Sequence, residues 1–256
     1  MTERKQLAKT EDNTPATVHA EVPDFLKDHQ NDQRGSEEVG AEDLVIPRVD
    51  LIQGLSKVRK KTDPNYIEGA EEGMFYNVVT RNLYGEKVNV VPVYFQKQYL
   101  LWRDADLGGG FGGAHRSHAE AEEARQTQEN PQEWEVVDTP THYCLVLHDD
   151  GSTEEAVVSL AKTKAKASRY LNSLVRINGG PRFSRVYQLK GVPEQNGKGQ
   201  DYYSVQVANV GYVSKELFDQ ASELYETIKN GGVQVDQGEE VVAEGTGYPG
   251  EEDDEI

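Results

Sequence analysis

Eight basic residues, Lys162, Lys164, Lys166, Arg169, Arg176, Arg182, Arg185 and Lys190, fall in a 35-residue stretch, 156–190, that contains no Asp or Glu. Three aromatics, Tyr170, Phe183 and Tyr187, are interleaved with them. In a chain with 45 acids and 27 bases this is the sharpest local inversion of charge. Cations that follow a phosphate backbone, alternating with rings on which bases stack, are the chemistry for holding a single nucleic-acid strand without regard to its sequence. Lys162, Lys166, Arg169, Arg176, Arg182 and Arg185 are the candidate phosphate contacts here, and Phe183 and Tyr187 the candidate stacking rings. Two smaller clusters offer the same chemistry. Lys97, Trp102 and Arg103 share a strand-like run, and Lys57, Arg59, Lys60 and Lys61 make a basic loop suited to clamping phosphates.

The opposite charge is gathered at the C-terminus. Glu251, Glu252, Asp253, Asp254 and Glu255 are consecutive, Ile256 closes them with one apolar side chain, and residues 236–256 hold nine acids and no Lys or Arg. A run of like charge repels itself and does not pack, so it reads as a disordered interaction tail. Two targets suit it: a basic pocket on a partner protein, with Ile256 as the plug, or the basic groove of its own chain. Residues 1–43, with eleven acids and five bases, read as a second disordered acidic arm. The net charge of −18 is therefore mostly terminal, and the segment 44–235 is near neutral. Whole-chain charge consequently says little about what one patch binds.

Catalytic and metal constellations are weak by comparison. His115-x-x-His118 has a ligand spacing but sits in a polar stretch with no cysteine beside it. Gly108–Gly113 lacks the Lys-Ser/Thr ending of a phosphate loop. Asp149-Asp150 is explained by a hairpin turn and Glu154-Glu155 by a strand edge. Neighbours on a strand face opposite sides, so His142 does not activate Cys144, which reads as a buried or half-buried thiol. No catalytic residue, cofactor or metal is expected.

The elements that must position the basic window are legible from periodicity. Runs at 44–52, 74–79, 88–102, 134–137, 141–148, 154–160, 185–192 and 202–210 read as strands. Pro92 within the third calls for a bulge or an edge position, because proline has no N–H for a ladder. Asp149-Asp150-Gly151-Ser152 carries a hairpin signal. Lys162–Ile177 reads as a helix with Ala167, Tyr170, Leu171, Leu174 and Val175 on the apolar face, which puts Tyr170 at the edge of the core. Lys162, Lys166, Arg169 and Arg176 take the opposite face. A second helix begins at an N-cap, Ser214, and stops at Gly231, with Leu217, Phe218, Ala221, Leu224, Tyr225 and Ile228 on one side. The Gly- and Glu-rich segment 104–132 interrupts the pattern as a mobile insertion carrying a short helix. Eight short strands, several joined by hairpins, with two or three helices, give a mostly β (α+β) fold: an antiparallel OB-like barrel or curled sheet over 44–235, with disordered termini.

One cysteine excludes a disulfide framework, no apolar run is long enough to span a bilayer, and the first residues carry no secretory leader. A cytoplasmic setting is expected, without membrane association. The Glu251–Ile256 ending, the Lys162–Lys190 basic window and the hairpin-rich β core together resemble the single-stranded DNA-binding proteins of tailed bacteriophages. Ile46-Pro47-Arg48-Val49-Asp50-Leu51-Ile52-Gln53-Gly54 is also similar to the opening of a family of phage-encoded proteins. The resemblance implies a protein that coats single-stranded DNA during replication or recombination. It also implies that the acidic tail recruits polymerase, primase or helicase. Three other readings compete: a virion structural or assembly protein, a DNA-mimicking inhibitor of a host enzyme, and an enzyme of nucleic-acid metabolism. Charge confined to the ends argues against the mimic, and the absence of a nucleophile–base pairing argues against the enzyme.

Overall fold

A computed structural model describes residues 45–104, 107–197 and 199–230, with isolated positions at 24, 34–35 and 234–235. The acidic arm 1–43 is almost wholly outside these residues, and the tail 236–256 entirely so. The chain divides into two units, Met1–Val39 and Gly40–Ile256, and the second carries the described fold.

Its strands are β1 (Val45–Ile46), β2 (Arg48–Leu51), β3 (Phe75–Asn77), β4 (Leu83–Gly85), β5 (Lys87–Arg103), β6 (Phe111–His115), β7 (Trp134–Leu147), β8 (Thr153–Ser159), β9 (Arg185–Gln195), β10 (Asp201–Tyr212) and β11 (Gln234–Val235). The helices are α1 (His118–Gln126), α2 (Ala165–Asn178) and α3 (Lys215–Lys229). A single sheet runs β10-β9-β5-β7-β8-β2-β3-β4, with β6 added on β5, while β1 and β11 pair separately and in parallel. Every pairing in the large sheet is antiparallel except β2 with β8. The result is a mostly β α+β fold with three helices, whose mixed sheet curls into a half-barrel.

The curl follows from local chemistry. Pro92 interrupts the β5–β7 ladder, and the register shifts between Pro92 and Tyr94 to accommodate it, a bulge that bends the longest strand. On the concave side of the bend, Val88 and Val90 of β5, Cys144 and Val146 of β7, Ala156 and Val158 of β8, and Tyr187 and Leu189 of β9 form the main core with Ala167 and Leu171 of α2. On the convex side, Val91, Val93 and Leu145 pack against Ala221 and Leu224 of α3, joined by Leu217, Phe218, Tyr225 and Ile228. The α3 apolar set is the one its periodicity predicts. Its N-cap Ser214 accepts from the Leu217 N–H at 3.2 Å.

The far seam of the curl is closed by one side chain. Gln53 Nε2 donates to the Tyr203 carbonyl (2.8 Å) and its Oε1 accepts from the Tyr203 N–H (2.9 Å), so the amide stands in for a residue of a neighbouring strand beside β10. Backbone comes very close there. A Cβ on Gly191 would lie 2.1 Å from the Gly73 carbonyl oxygen, and one on Gly73, whose φ is +82°, would lie 2.4 Å from the Tyr203 ring.

Three expectations are corrected. The runs 134–137 and 141–148 are one continuous strand, β7, and helix α2 starts at Ala165 after a 3-10 turn at Lys162–Lys164. The segment 104–132 does hold a short helix, α1. It also supplies β6, which pairs with β5 from Tyr99 to Trp102, so this part of the insertion is built into the sheet.

Candidate nucleic-acid interface

Helix α2 positions the strongest candidates. Its buried side, Ala167, Ser168 and Leu171, is seated on the concave core. The other side presents Lys166, Arg169, Tyr170, Ser173, Arg176 and Ile177 to solvent. At 3.6 residues per turn these six fall within an arc of roughly 120°. Among the described residues no carboxylate pairs with Lys166, Arg169 or Arg176, and the acid-free sequence around them explains why. Tyr170 is 52% exposed. The core position expected for it is therefore wrong: its place at the rim of the apolar stripe lets the ring turn outward, between the cations.

A buried polar cluster moors the helix. His142 on β7 is fully buried, its Nε2 lies 2.8 Å from Ser168 Oγ, and its Nδ1 lies 2.7 Å from Arg182 Nη2. The same Arg182 nitrogen donates to Asn172 Oδ1 at 2.8 Å. A guanidinium only donates, so Nδ1 must offer its lone pair, and the ring proton sits on Nε2, donated to Ser168. His142 is thus in the wrong tautomer to act as a base toward that hydroxyl, which excludes a Ser–His nucleophile here. Burial first, and the Arg182 charge second, push the His142 pKa down to about 3, so the ring is neutral. Burial pushes the thiol of Cys144 up to about 12, and it is an inert core group.

Several expected contacts are placed elsewhere. Arg182 points inward to His142 and Asn172 and is a mooring residue. Phe183 (8% exposed) stacks under α3 against Phe218 and Tyr225, with centroids 5.1 and 5.9 Å away. Tyr187 (1% exposed) lies in the main core, its hydroxyl accepting from Asn178 at 3.2 Å. Trp102 is buried against Phe111 at 4.9 Å. None of these three rings is open to a base: strand alternation turns Trp102 and Tyr187 inward, and Phe183 is buried from the 3-10 turn Arg182–Ser184.

Among the cations, Lys97 pairs with Asp138 (2.5 Å), Arg103 with Glu133 (2.6 Å), Lys162 with Glu135 (3.2 Å) and Arg59 with Glu72 (2.6 Å). Such exposed pairs are worth about 0–1 kcal/mol, so phosphate can displace them, at a reduced net gain. Lys57 belongs to a 3-10 turn pinned by buried Val58, which packs with Ile52, Ile67 and Tyr76, so this part of the expected basic loop is an anchored turn. Lys60 and Lys61 are exposed beside it. Arg185 lies against the exposed ring of Tyr212, a residue that the strand pattern, ending at 210, leaves out.

The carboxylate of Glu154 is also occupied: Asn77 and Tyr84 donate to it, and His148 Nε2 is 3.2 Å away. Among the described residues no group of His, Cys, Asp and Glu is arranged to hold a metal ion, and no helix is long and apolar enough to cross a membrane.

No curated protein and no solved structure matches the chain. The family described as Pam3 phage gp34-like protein matches residues 11–234, which spans the whole described fold from β1 into β11. The chain belongs to this family of phage proteins.

Proposed function

We propose that the chain binds single-stranded DNA along the exposed face of α2, serving phage DNA replication or recombination in the host cytoplasm. The observation that carries this reading is the row Lys166, Arg169 and Arg176, with which no carboxylate among the described residues pairs, and the outward Tyr170 among them. Such a row attracts phosphates through counterion release, and the ring gives an unpaired base a surface to stack on. Phage origin fits a role on phage DNA. In the same reading the acids 251–255 and Ile256 recruit replication or recombination proteins such as polymerase, primase or helicase. Tethered to the same chain as the cationic face, they also compete with DNA for it.

The test is fluorescence anisotropy with labelled oligo-dT and a duplex of equal length, at two salt concentrations. Oligo-dT binds more tightly than duplex, and affinity falls steeply with salt. Lys166→Glu with Arg169→Glu lowers affinity at least about tenfold while thermal unfolding stays unchanged, because both side chains leave the helix on its solvent side. Equal affinity for the two forms reduces the reading to generic electrostatics, and no binding at low salt removes it.

A further inference from the structure

With Phe183, Tyr187 and Trp102 buried, the surface retains a second exposed tyrosine besides Tyr170. Tyr212 ends β10 with 74% of its surface exposed. It faces Arg185 across the β9–β10 ladder. The guanidinium carbon of Arg185 lies 3.9 Å from the ring centroid, and Nη2 donates to the Tyr212 hydroxyl at 2.6 Å. One face of the ring is therefore covered by a cation and the other is open to water.

The pair lies close to α2. Arg182, three residues before Arg185, bonds Asn172 of that helix, and Asn178 at its C-terminus bonds Tyr187, two residues after Arg185. Three residues of chain span at most about 10 Å. From residue 202 to 214 the strand and its ends carry no Asp or Glu, so the chain on either side of the ring adds no charge of like sign to a phosphate.

On this geometry, and resting on the proposed binding along α2, we infer that Tyr212 is a base-stacking position whose ligand is an unpaired nucleobase. The base lies on the open face of the ring. Arg185, held on the other face, keeps the ring in one orientation and places a positive charge at the edge of the stack, where the adjoining phosphate passes. A duplex does not use this position, because its bases are stacked on one another already.

The test compares Tyr212→Ala, Tyr212→Phe and Lys166→Glu/Arg169→Glu with the unaltered protein, using an oligo-dT that carries a single 2-aminopurine. Stacking on the ring quenches the probe. Tyr212→Ala weakens binding at least about fivefold and abolishes quenching at the probe position that responds in the unaltered protein. Tyr212→Phe retains both, and duplex affinity is the same in all three Tyr212 forms. Since the side chain is mostly in solvent, unfolding temperatures stay together. If Tyr212→Ala binds and quenches normally while the α2 reversals abolish binding, stacking at Tyr212 is refuted and the α2 reading stands. An equal loss on duplex also refutes it, since Tyr212 would then only be holding Arg185. If the unaltered protein binds no oligo-dT, both readings fall together.

Discussion

At the scale of single residues, the most consequential group is His142, a neutral imidazole sealed between Arg182 and Ser168. Its folded pKa of about 3 lies below the ordinary value of 6.5, so the folded state refuses a proton that the unfolded chain accepts. Above pH 6.5 both states are neutral and the contribution is complete. As pH falls from there toward 3, the unfolded state alone gains the proton, and stability declines by up to about 1.4 kcal/mol per pH unit from this group. His142→Gln, which can still donate toward Ser168, is expected to be less stable at pH 7 but to show a shallower loss between pH 6.5 and 4. Urea unfolding at several pH values reads this directly, and parallel slopes for the two proteins would disprove the assignment. The sequence does not reveal this cluster, since His142, Ser168, Asn172 and Arg182 meet only after the sheet curls. For the same reason the cations of α2 were legible and the rings were not. A helical period places Lys166, Arg169 and Arg176 outside whatever the tertiary fold. Phe183 and Tyr187 depend on which side of the sheet the main core and α3 occupy.

At the scale of elements, strands and helices could be read because alternation and amphipathic stripes are local. The hairpin at 149–152 formed as its residues dictate, with Gly151 at φ +86° and Asp150 accepting from the Ser152 N–H. The seam that closes the curl is not local. Gln53 and Tyr203 are 150 residues apart, and nothing in either neighbourhood announces the pairing. Gly191 is the sharpest probe of it. A methyl group there would sit 2.1 Å from a backbone oxygen, which no rotamer change relieves, so Gly191→Ala must push the β9–β10 hairpin away from Gly73. A loss of about 1–3 kcal/mol is expected, typical of forced overpacking. Gly197→Ala, in the β9–β10 turn with open space around the added methyl, is the control and should unfold within a few degrees of the parent. If both variants melt alike, the close approach at the seam does not govern stability.

At the scale of the whole fold, charge is sorted by face. Helix α2, over the concave core, shows Lys166, Arg169 and Arg176 and no acid, while α3, on the convex side, exposes four acids, Glu216, Asp219, Glu223 and Glu226, against two bases, Lys215 and Lys229. The root of the tail belongs to the acidic side: β11 pairs with β1, whose Ile46 packs with Tyr143, Val157 and Ile228 of α3. To compete with DNA on α2, the acids beyond 235 must travel around the domain. A compact domain of this size is on the order of 40 Å across. Twenty-one residues span at most about 70 Å, so by chain length alone the acids at 251–255 are the ones with a tether long enough to meet α2. Removing 236–256 should accordingly raise oligo-dT affinity several-fold at low salt, and removing 251–256 alone should recover most of that gain. Near 1 M salt, where the Debye length is about 3 Å, both gains should vanish. Ile256→Asp should leave DNA affinity nearly unchanged while weakening any protein partner that holds the apolar end. If the six-residue deletion leaves low-salt affinity where it was and the longer one raises it, competition acts through the field of the convex face rather than by occupation of α2. If neither deletion changes it, the tail does not compete for the DNA site at all, and its acids are left with partner recruitment alone.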